Sequence, residues 1–130
     1  MGVGFSYPGA GGHALVAFVD DGSALKHLGL VRAYVRARRS GRRAAAVEVA
    51  RRASRTCVVH SVEPEDLERA LSAFAADESL PMRDALHAAV ALNRGVTVIA
   101  SADTDFDQVP GLERIDPLDR EAVAALAGAG

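Results

Sequence analysis

The stretch Val96-Thr-Val-Ile-Ala100 runs directly into the polar loop Ser101-Ala-Asp103, and this junction decides the fold. The first part is short, β-rich and continuously apolar, which predicts a strand buried on both faces. The helix before it is expected to begin at Pro81 and to end at Gly95, with Asp84 in its first turn. Asp84 and Asp103 are therefore predicted to approach the same edge of a sheet.

Upstream and downstream of this junction, strand patterns alternate with helix patterns. Residues 14–19 predict a buried strand, and Leu25, Leu28, Val31 and Val35 recur at helical spacing up to Ser40-Gly41. The remaining predicted elements are a helix over 42–53, a strand within 56–62, a helix from Pro64 that buries Leu67, Leu71 and Phe74, an edge strand over 112–115 and a final helix over 118–126. This order predicts an α/β fold of three layers, with a central parallel sheet flanked by helices.

The first dozen residues contain five glycines and Pro8, which leaves little apolar surface for a stable element. We therefore expect residues 1–13 to form a flexible N-terminal arm and residues 14–130 to form a single domain.

Composition excludes several classes of protein. The 130 residues are 49% hydrophobic and 25% charged, as in a globular domain rather than a disordered chain. The longest apolar run, residues 14–19, is far shorter than the roughly 20 residues of a membrane-spanning helix, so no membrane association is expected. A single cysteine, Cys57, excludes an intrachain disulfide and favours a cytoplasmic location.

The charge is unevenly distributed along the chain. Residues 32–55 hold nine arginines and one acid, Glu48, a local charge of +8, whereas the rest of the chain carries six basic and sixteen acidic residues. Such a basic segment suits a phosphate backbone or an acidic protein partner. The alternative is two solvated helix faces whose arginines cover apolar surface.

Three acids are candidates for a metal site. Asp20 and Asp103 each follow a predicted buried strand, and Asp84 begins the intervening helix, so all three are expected at the carboxyl edge of the sheet. Converging carboxylates repel one another unless a cation or a proton compensates, and oxygen ligands suit Mg²⁺. Each acid also has an ordinary structural role open to it, in a turn or at a helix N-terminus.

Three segments resemble the C-terminal half of VapC-type PIN-domain proteins. They are Arg83-Asp-Ala-Leu-His-Ala-Ala89, Gly95-Val-Thr-Val-Ile-Ala-Ser-Ala-Asp-Thr-Asp-Phe-Asp107 and Val109-Pro-Gly-Leu-Glu-Arg-Ile-Asp-Pro117. The likeness continues more loosely upstream through residues 62–69 to 36–39. It implies a PIN-like, Rossmann-like domain.

The resemblance also implies a function. Members of this kind are Mg²⁺- or Mn²⁺-dependent endoribonucleases, the toxins of type II toxin–antitoxin pairs, held inactive by a small antitoxin and usually dimeric. Asp84 and Asp103 match the family's catalytic, metal-binding acids. Asp105 matches a further acid, and His87 belongs to the same pattern as a packing or hydrogen-bonding residue. The candidate substrate-binding residues are Ser101, Arg38 and Arg39.

The N-terminal half departs from the family pattern, which opens with a strand and Val-Asp-Thr/Ser. This chain starts with Met1-Gly-Val-Gly-Phe5 instead, and an ungapped count back from residues 36–39 puts Val31 where the family has a Glu on a later helix. Two of the family's four acids are therefore expected to be absent. Asp20, after Phe18-Val19, is a candidate replacement as a metal ligand, and Glu48 is a candidate second acid. A truncated or frame-altered N-terminus is the other explanation. The alternative function is a catalytically impaired PIN-fold module that binds an antitoxin or RNA without turnover.

Overall fold

The computed structural model describes residues 3–6, 16–19, 24–56, 58–119 and 121. Within these residues, strands and helices follow one another largely in the predicted order. The strands are β1 (Val3–Ser6), β2 (Val16–Val19), β3 (Val58–His60), β4 (Val98–Ala100) and β5 (Glu113–Ile115). The helices are α1 (Ala24–Arg39), α2 (Arg43–Thr56), α3 (Pro64–Ala76) and α4 (Met82–Asn93), with a 3₁₀ helix over Thr104–Gln108.

The five strands form one sheet in the order β3-β2-β1-β4-β5. β1, β4 and β5 pair in parallel, whereas β2 runs antiparallel to both β1 and β3. The predicted parallel sheet is therefore present in β1, β4 and β5, and the prediction is wrong only for the direction of β2. A parallel crossover needs a dozen or more residues, and only residues 7–15 connect β1 to β2, so the chain returns in the opposite direction.

β1 corrects a second expectation. The prediction of a flexible arm over residues 1–13 is wrong for Val3–Ser6, which form a strand between β2 and β4. Hydrogen bonds from two neighbouring strands stabilise this segment, and the glycine-rich sequence of the first dozen residues gives no sign of that tertiary context. The extent of the single domain, residues 14–130, stays a prediction.

Glycines end two helices at the predicted positions. Gly41, at φ +74°, closes α1, because the Arg42 amide donates to the Ala37 carbonyl and the Gly41 amide donates to the Arg38 carbonyl. Gly95, at φ +75°, closes α4 in the same way, because the Val96 amide donates to the Ala91 carbonyl and the Gly95 amide donates to the Leu92 carbonyl. The chain then continues toward β4. Both turns satisfy the last carbonyls of their helices.

The helices pack in two pairs, α1 on α2 and α3 on α4, and α1 and α4 also contact the sheet. This is the three-layer arrangement that the sequence predicts. The core around α4 consists mainly of small apolar side chains, joined by larger ones from β4 and the loops. Its buried members are Ala70, Leu80, Ala85, Ala88, Ala89, Val90, Ala91, Val96, Ile99, Phe106, Val109 and Leu112.

α3 packs through a different face from the predicted one. Leu67, Leu71 and Phe74 are 45%, 44% and 45% exposed, so the prediction that they form the buried face is wrong. The buried side carries Asp66 and Ala70, with Ala73 partly buried beside them. Small side chains line the sides of α3 and α4 that face each other, and helical periodicity alone does not distinguish such a face from a larger apolar one.

A buried acid joins the start of α3 to the end of α4. The Asp66 carboxylate accepts hydrogen bonds from Arg94 at 2.9 and 3.0 Å, from Asn93 at 2.9 Å and from the Glu63 backbone amide at 2.8 Å. Although burial opposes ionisation, these bonds lower the pKa of Asp66 to about 2. The network fixes α4, the helix that carries Asp84.

Among the described residues, no helix is long and apolar enough to cross a membrane. At the other end of the chain, Leu118 and Asp119 lie in and after a turn, and Glu121 is helical. The rest of the final helix predicted over 118–126 lies outside the described residues.

Candidate metal centre

Three carboxylates converge where β4 leaves the sheet. Asp84 lies in the first turn of α4, Asp103 caps the 3₁₀ helix after β4, and Asp105 lies within that helix. One carboxylate oxygen of each residue lies within 4.8 Å of the others. The sequence predicted Asp84 and Asp103 to meet at this edge, and the fold brings them together with Asp105.

Asp84 is the most deeply buried of the three, at 1% exposure. Within the part of the chain that the structure describes, its Oδ2 atom has no hydrogen-bond partner. Burial is the main cause that raises the pKa of this carboxyl to about 7, followed by the negative charge of Asp103, while Arg83 opposes the shift. The site thus holds a buried carboxylate whose charge needs a proton or a cation to offset it.

Local hydrogen bonds order the loop between β4 and the 3₁₀ helix. The Asp103 backbone amide donates to Ser101 Oγ at 3.1 Å, and the Asp105 amide donates to Asp103 Oδ1 at 3.0 Å. Phe106, 1% exposed, anchors the same helix in the core. Ser101 is itself buried, and its hydroxyl is part of the scaffold that orients Asp103.

Arg114, on β5, is a residue that the sequence did not single out. Its Nη1 donates to the Ser101 carbonyl at 3.1 Å, and its Nε donates to Asp107 Oδ1 at 2.8 Å. The bond to Asp107 raises the pKa of Arg114, so the guanidinium stays charged beside the acids. The sequence shows Arg114 only as a basic residue within a predicted edge strand. The pairing of β4 with β5 is what brings it to the Ser101 carbonyl.

His87, one turn after Asp84 on α4, is completely buried. Burial and the charge of Arg83 lower the pKa of His87 to about 4, so its imidazole is neutral at physiological pH. Its burial in α4 fits the expected packing role.

The three carboxylates meet the requirements of a hard divalent cation. Two ligands on opposite sides of Mg²⁺ are about 4.2 Å apart, so oxygens already within 4.8 Å need only small side-chain rotations. The unpartnered Oδ2 of Asp84 is the atom that a cation would satisfy. Residues Asp84, Asp103 and Asp105 are therefore the ones that could hold a metal.

Of the two N-terminal candidates, only Glu48 lies within the described residues. Glu48 is exposed on α2 and is not part of the group. Asp20 lies outside the described residues, and its predicted position beside Asp103 depends on a parallel β2. Because β2 is antiparallel, its last residue, Val19, pairs with Val3 at the edge opposite the end of β4.

The two arginines proposed as substrate ligands, Arg38 and Arg39, lie exposed in the last turn of α1. They belong to the helical hairpin of α1 and α2 and are not members of the carboxylate group.

Comparison with known proteins agrees with this fold. The chain is 39% identical over 54 residues to the VapC ribonuclease Mb1869c of Mycobacterium bovis, and equally to the ribonuclease VapC13 of Mycobacterium tuberculosis. The alignment covers 42% of this chain and 41% of each relative. No solved structure matches the chain significantly. The family model of the PIN domain matches residues 25–112, which is more than half of the chain, and the chain therefore belongs to the PIN-domain family.

Proposed function

We propose that this protein is a Mg²⁺- or Mn²⁺-dependent endoribonuclease that acts as the toxin of a type II toxin–antitoxin pair. The observation that carries the proposal is the buried, unpartnered Oδ2 of Asp84 within 4.8 Å of carboxylate oxygens of Asp103 and Asp105. The two similar relatives are both named as VapC ribonucleases, which supports RNA as the substrate.

Each residue of the site has a distinct task in this proposal. Asp84 and Asp103 are the catalytic acids and the main metal ligands, and Asp105 completes the group. Ser101 orients Asp103 through the bond between its Oγ and the Asp103 amide, and we assign it this positioning role rather than a direct contact with substrate. A divalent ion bound here would lower the pKa of an attacking water and neutralise charge on the phosphodiester.

The partner and the location follow from the same family likeness. A toxin of this type is held inactive by a small cognate antitoxin, and we expect the pair in the cytoplasm. A homodimer is also expected from the family. These partners are proposed on the resemblance to VapC ribonucleases, of whose length the aligned segment covers 41%.

Cleavage of RNA with and without Mn²⁺ tests the proposal. The wild-type protein should cleave a labelled single-stranded RNA only with the divalent ion, and Asp84→Asn should abolish cleavage because it removes a ligand charge. Glu68→Gln, an exposed acid on α3, is the matched control and should cleave at the wild-type rate. Cleavage that persists in the Asp84 variant at the wild-type rate would rule out the assignment of the site.

The second candidate is a binding module without turnover. One observation favours it: among the described residues, the acid cluster draws only on α4 and the loop after β4, and the N-terminal half adds no acid. Isothermal calorimetry separates the two candidates. Saturable Mn²⁺ binding supports the nuclease, whereas retained affinity for RNA or an antitoxin without Mn²⁺ binding supports the module.

A further inference from the structure

The most concentrated charge in the sequence lies on the helical hairpin formed by α1, α2 and the turn between them, outside the elements that hold the carboxylate cluster. We call residues 32–55 the arginine hairpin. Eight of its nine arginines are exposed and Arg32 is half-buried. The only acid in the hairpin is Glu48.

Packing of the two helices explains why the arginines point outward. Val31, Tyr34 and Ala37 of α1 are buried, as are the small residues Ala46, Ala50 and Ala53 of α2. By helical spacing these buried residues occupy one side of each helix, here called the seam, and the two helices pack against each other. The charged residues occupy the remaining surface.

Helical spacing arranges this charge in rows. Arg32, Arg36 and Arg39 recur every three or four residues, so they lie on one side of α1 over about 10 Å. On α2, Arg51 and Arg55 are one turn apart on the side away from the seam, and arginines span about 18 Å from Arg43 to Arg55. The rows form an extended basic surface rather than a single point of charge.

Helix stability accounts for only part of this charge. Arg36, Arg38 and Arg39 lie in the last turn of α1 and Arg55 lies in the last turn of α2, where the helix dipole favours cations, but the arginines at the start of α2 are unfavourable there. α2 has no acid in its first turn and begins with Arg43 directly after Arg42, whereas the helix dipole favours acids at that end. Arginines concentrated at the turn also repel one another. A polyanionic partner would compensate both unfavourable effects.

The composition of the surface favours a nucleic acid over a protein as that partner. All nine basic residues are arginines, which bind phosphate with two parallel hydrogen bonds and stack on bases. Protein interfaces usually have an apolar, charge-depleted core. Among the described side chains of the arginine hairpin, Val47 is the only large apolar one that is exposed.

We infer that the arginine hairpin is the surface that binds the phosphate backbone of single-stranded RNA, holding the strand while the carboxylate cluster acts on it. This inference rests on the proposed function in taking RNA as the substrate. It assigns affinity to α1 and α2 and cleavage to α4 and the loop after β4, so the two can be tested separately.

Binding measured as a function of salt tests the inference. The full-length Asp84→Asn protein, chosen so that RNA stays intact, is titrated with an oligouridine of about 20 nucleotides. Each lost phosphate contact on a single strand should reduce the magnitude of the negative slope of log K against log salt by about 0.7. Combining Arg36→Gln, Arg39→Gln, Arg51→Gln and Arg55→Gln should therefore reduce the magnitude of the slope by about 3 and weaken binding at least tenfold.

Two controls separate lost charge from lost structure. Replacing the same four arginines by lysine keeps the charge and should retain most of the slope. Arg69→Gln, an exposed arginine on α3 outside the hairpin, should change neither slope nor affinity. Circular dichroism of every variant checks that the helices are intact.

Each outcome decides between the alternatives. Unchanged affinity and slope in the folded four-glutamine variant would overturn the inference. Weaker binding to polyglutamate, with RNA binding unchanged, would also overturn it and assign the surface to an acidic protein. If the wild-type protein binds RNA through these arginines but does not cleave it with Mn²⁺, the nuclease proposal fails and the surface assignment stands.

Discussion

Asp84 is the residue at which folding and the proposed chemistry oppose each other. Folding buries its carboxyl group beside Asp103, which disfavours the charged form and raises its pKa to about 7. The proposed chemistry needs that charge as a metal ligand. A buried carboxyl can meet both demands only if a proton neutralises it in the metal-free protein and a cation neutralises it in the metal-bound protein.

This conflict predicts how stability depends on pH without divalent ions. The pKa of Asp84 is about 7 in the folded protein and about 3.8, the ordinary value, in the unfolded chain. The protonated group therefore stabilises the fold in full below pH 3.8. This stabilisation is lost as the pH rises through 7, and the loss should total roughly 2 to 4 kcal/mol. Urea unfolding of wild-type protein in EDTA should show this decrease relative to Asp84→Asn. Parallel pH profiles for the two proteins would contradict the raised pKa.

Arg114 acts on the site through the loop that it holds. Its guanidinium binds the Ser101 carbonyl and the Asp107 carboxylate, and Ser101 in turn orients Asp103. Loss of such a supporting residue typically weakens metal binding about 10- to 100-fold. We expect Arg114→Gln to raise the Mn²⁺ dissociation constant by about this factor in calorimetry.

The control for Arg114 is Asp107→Asn, which removes the exposed ion pair but leaves Arg114 able to bind the Ser101 carbonyl. It should weaken Mn²⁺ binding less than Arg114→Gln does. Wild-type affinity in the Arg114 variant would show that β5 does not support the site.

At the scale of elements, α3 carries two apolar faces, and the one with the smaller side chains is buried. Ala70 is completely buried against α4, whereas its neighbour Leu71 is 44% exposed. Close packing between small residues fixes the distance between the two helices, and the Asp66 network locks their ends. The more hydrophobic face is left on the surface.

Two substitutions at adjacent positions test this arrangement. Leu71→Ala should lower the free energy of unfolding by less than about 1 kcal/mol, because Leu71 buries only part of its side chain. Ala70→Leu adds apolar bulk but has no space against α4, so it should cost about 1 to 3 kcal/mol. Chemical denaturation measures both values. The reverse order would mean that the larger apolar face is the buried one.

Across the whole molecule, the sequence was most informative where structure is local. The segment from α4 through Gly95 and β4 to Asp103 is continuous in the chain, so helix ends, strand and acids could be placed from their spacing. The direction of β2 and the role of β1 depend on pairing between distant segments. The reach of Arg114 likewise depends on which strand lies beside β4. Periodicity within one segment contains none of this information.

A bound cation should change the stability of the entire fold, because Asp84 and Asp103 come from α4 and from the loop after β4. Binding to the folded state alone at a concentration about 100 times Kd contributes about 2.7 kcal/mol, which for a domain of this length raises Tm on the order of 10 °C. We expect Mn²⁺ to produce this shift in differential scanning calorimetry, and NaCl at equal ionic strength not to.

Protons compete for Asp84, so the shift should be smaller at acidic pH than above pH 7. Asp84→Asn should remove most of the shift, while Glu68→Gln should keep it. An equal shift in the Asp84 variant would place the ion elsewhere on the protein.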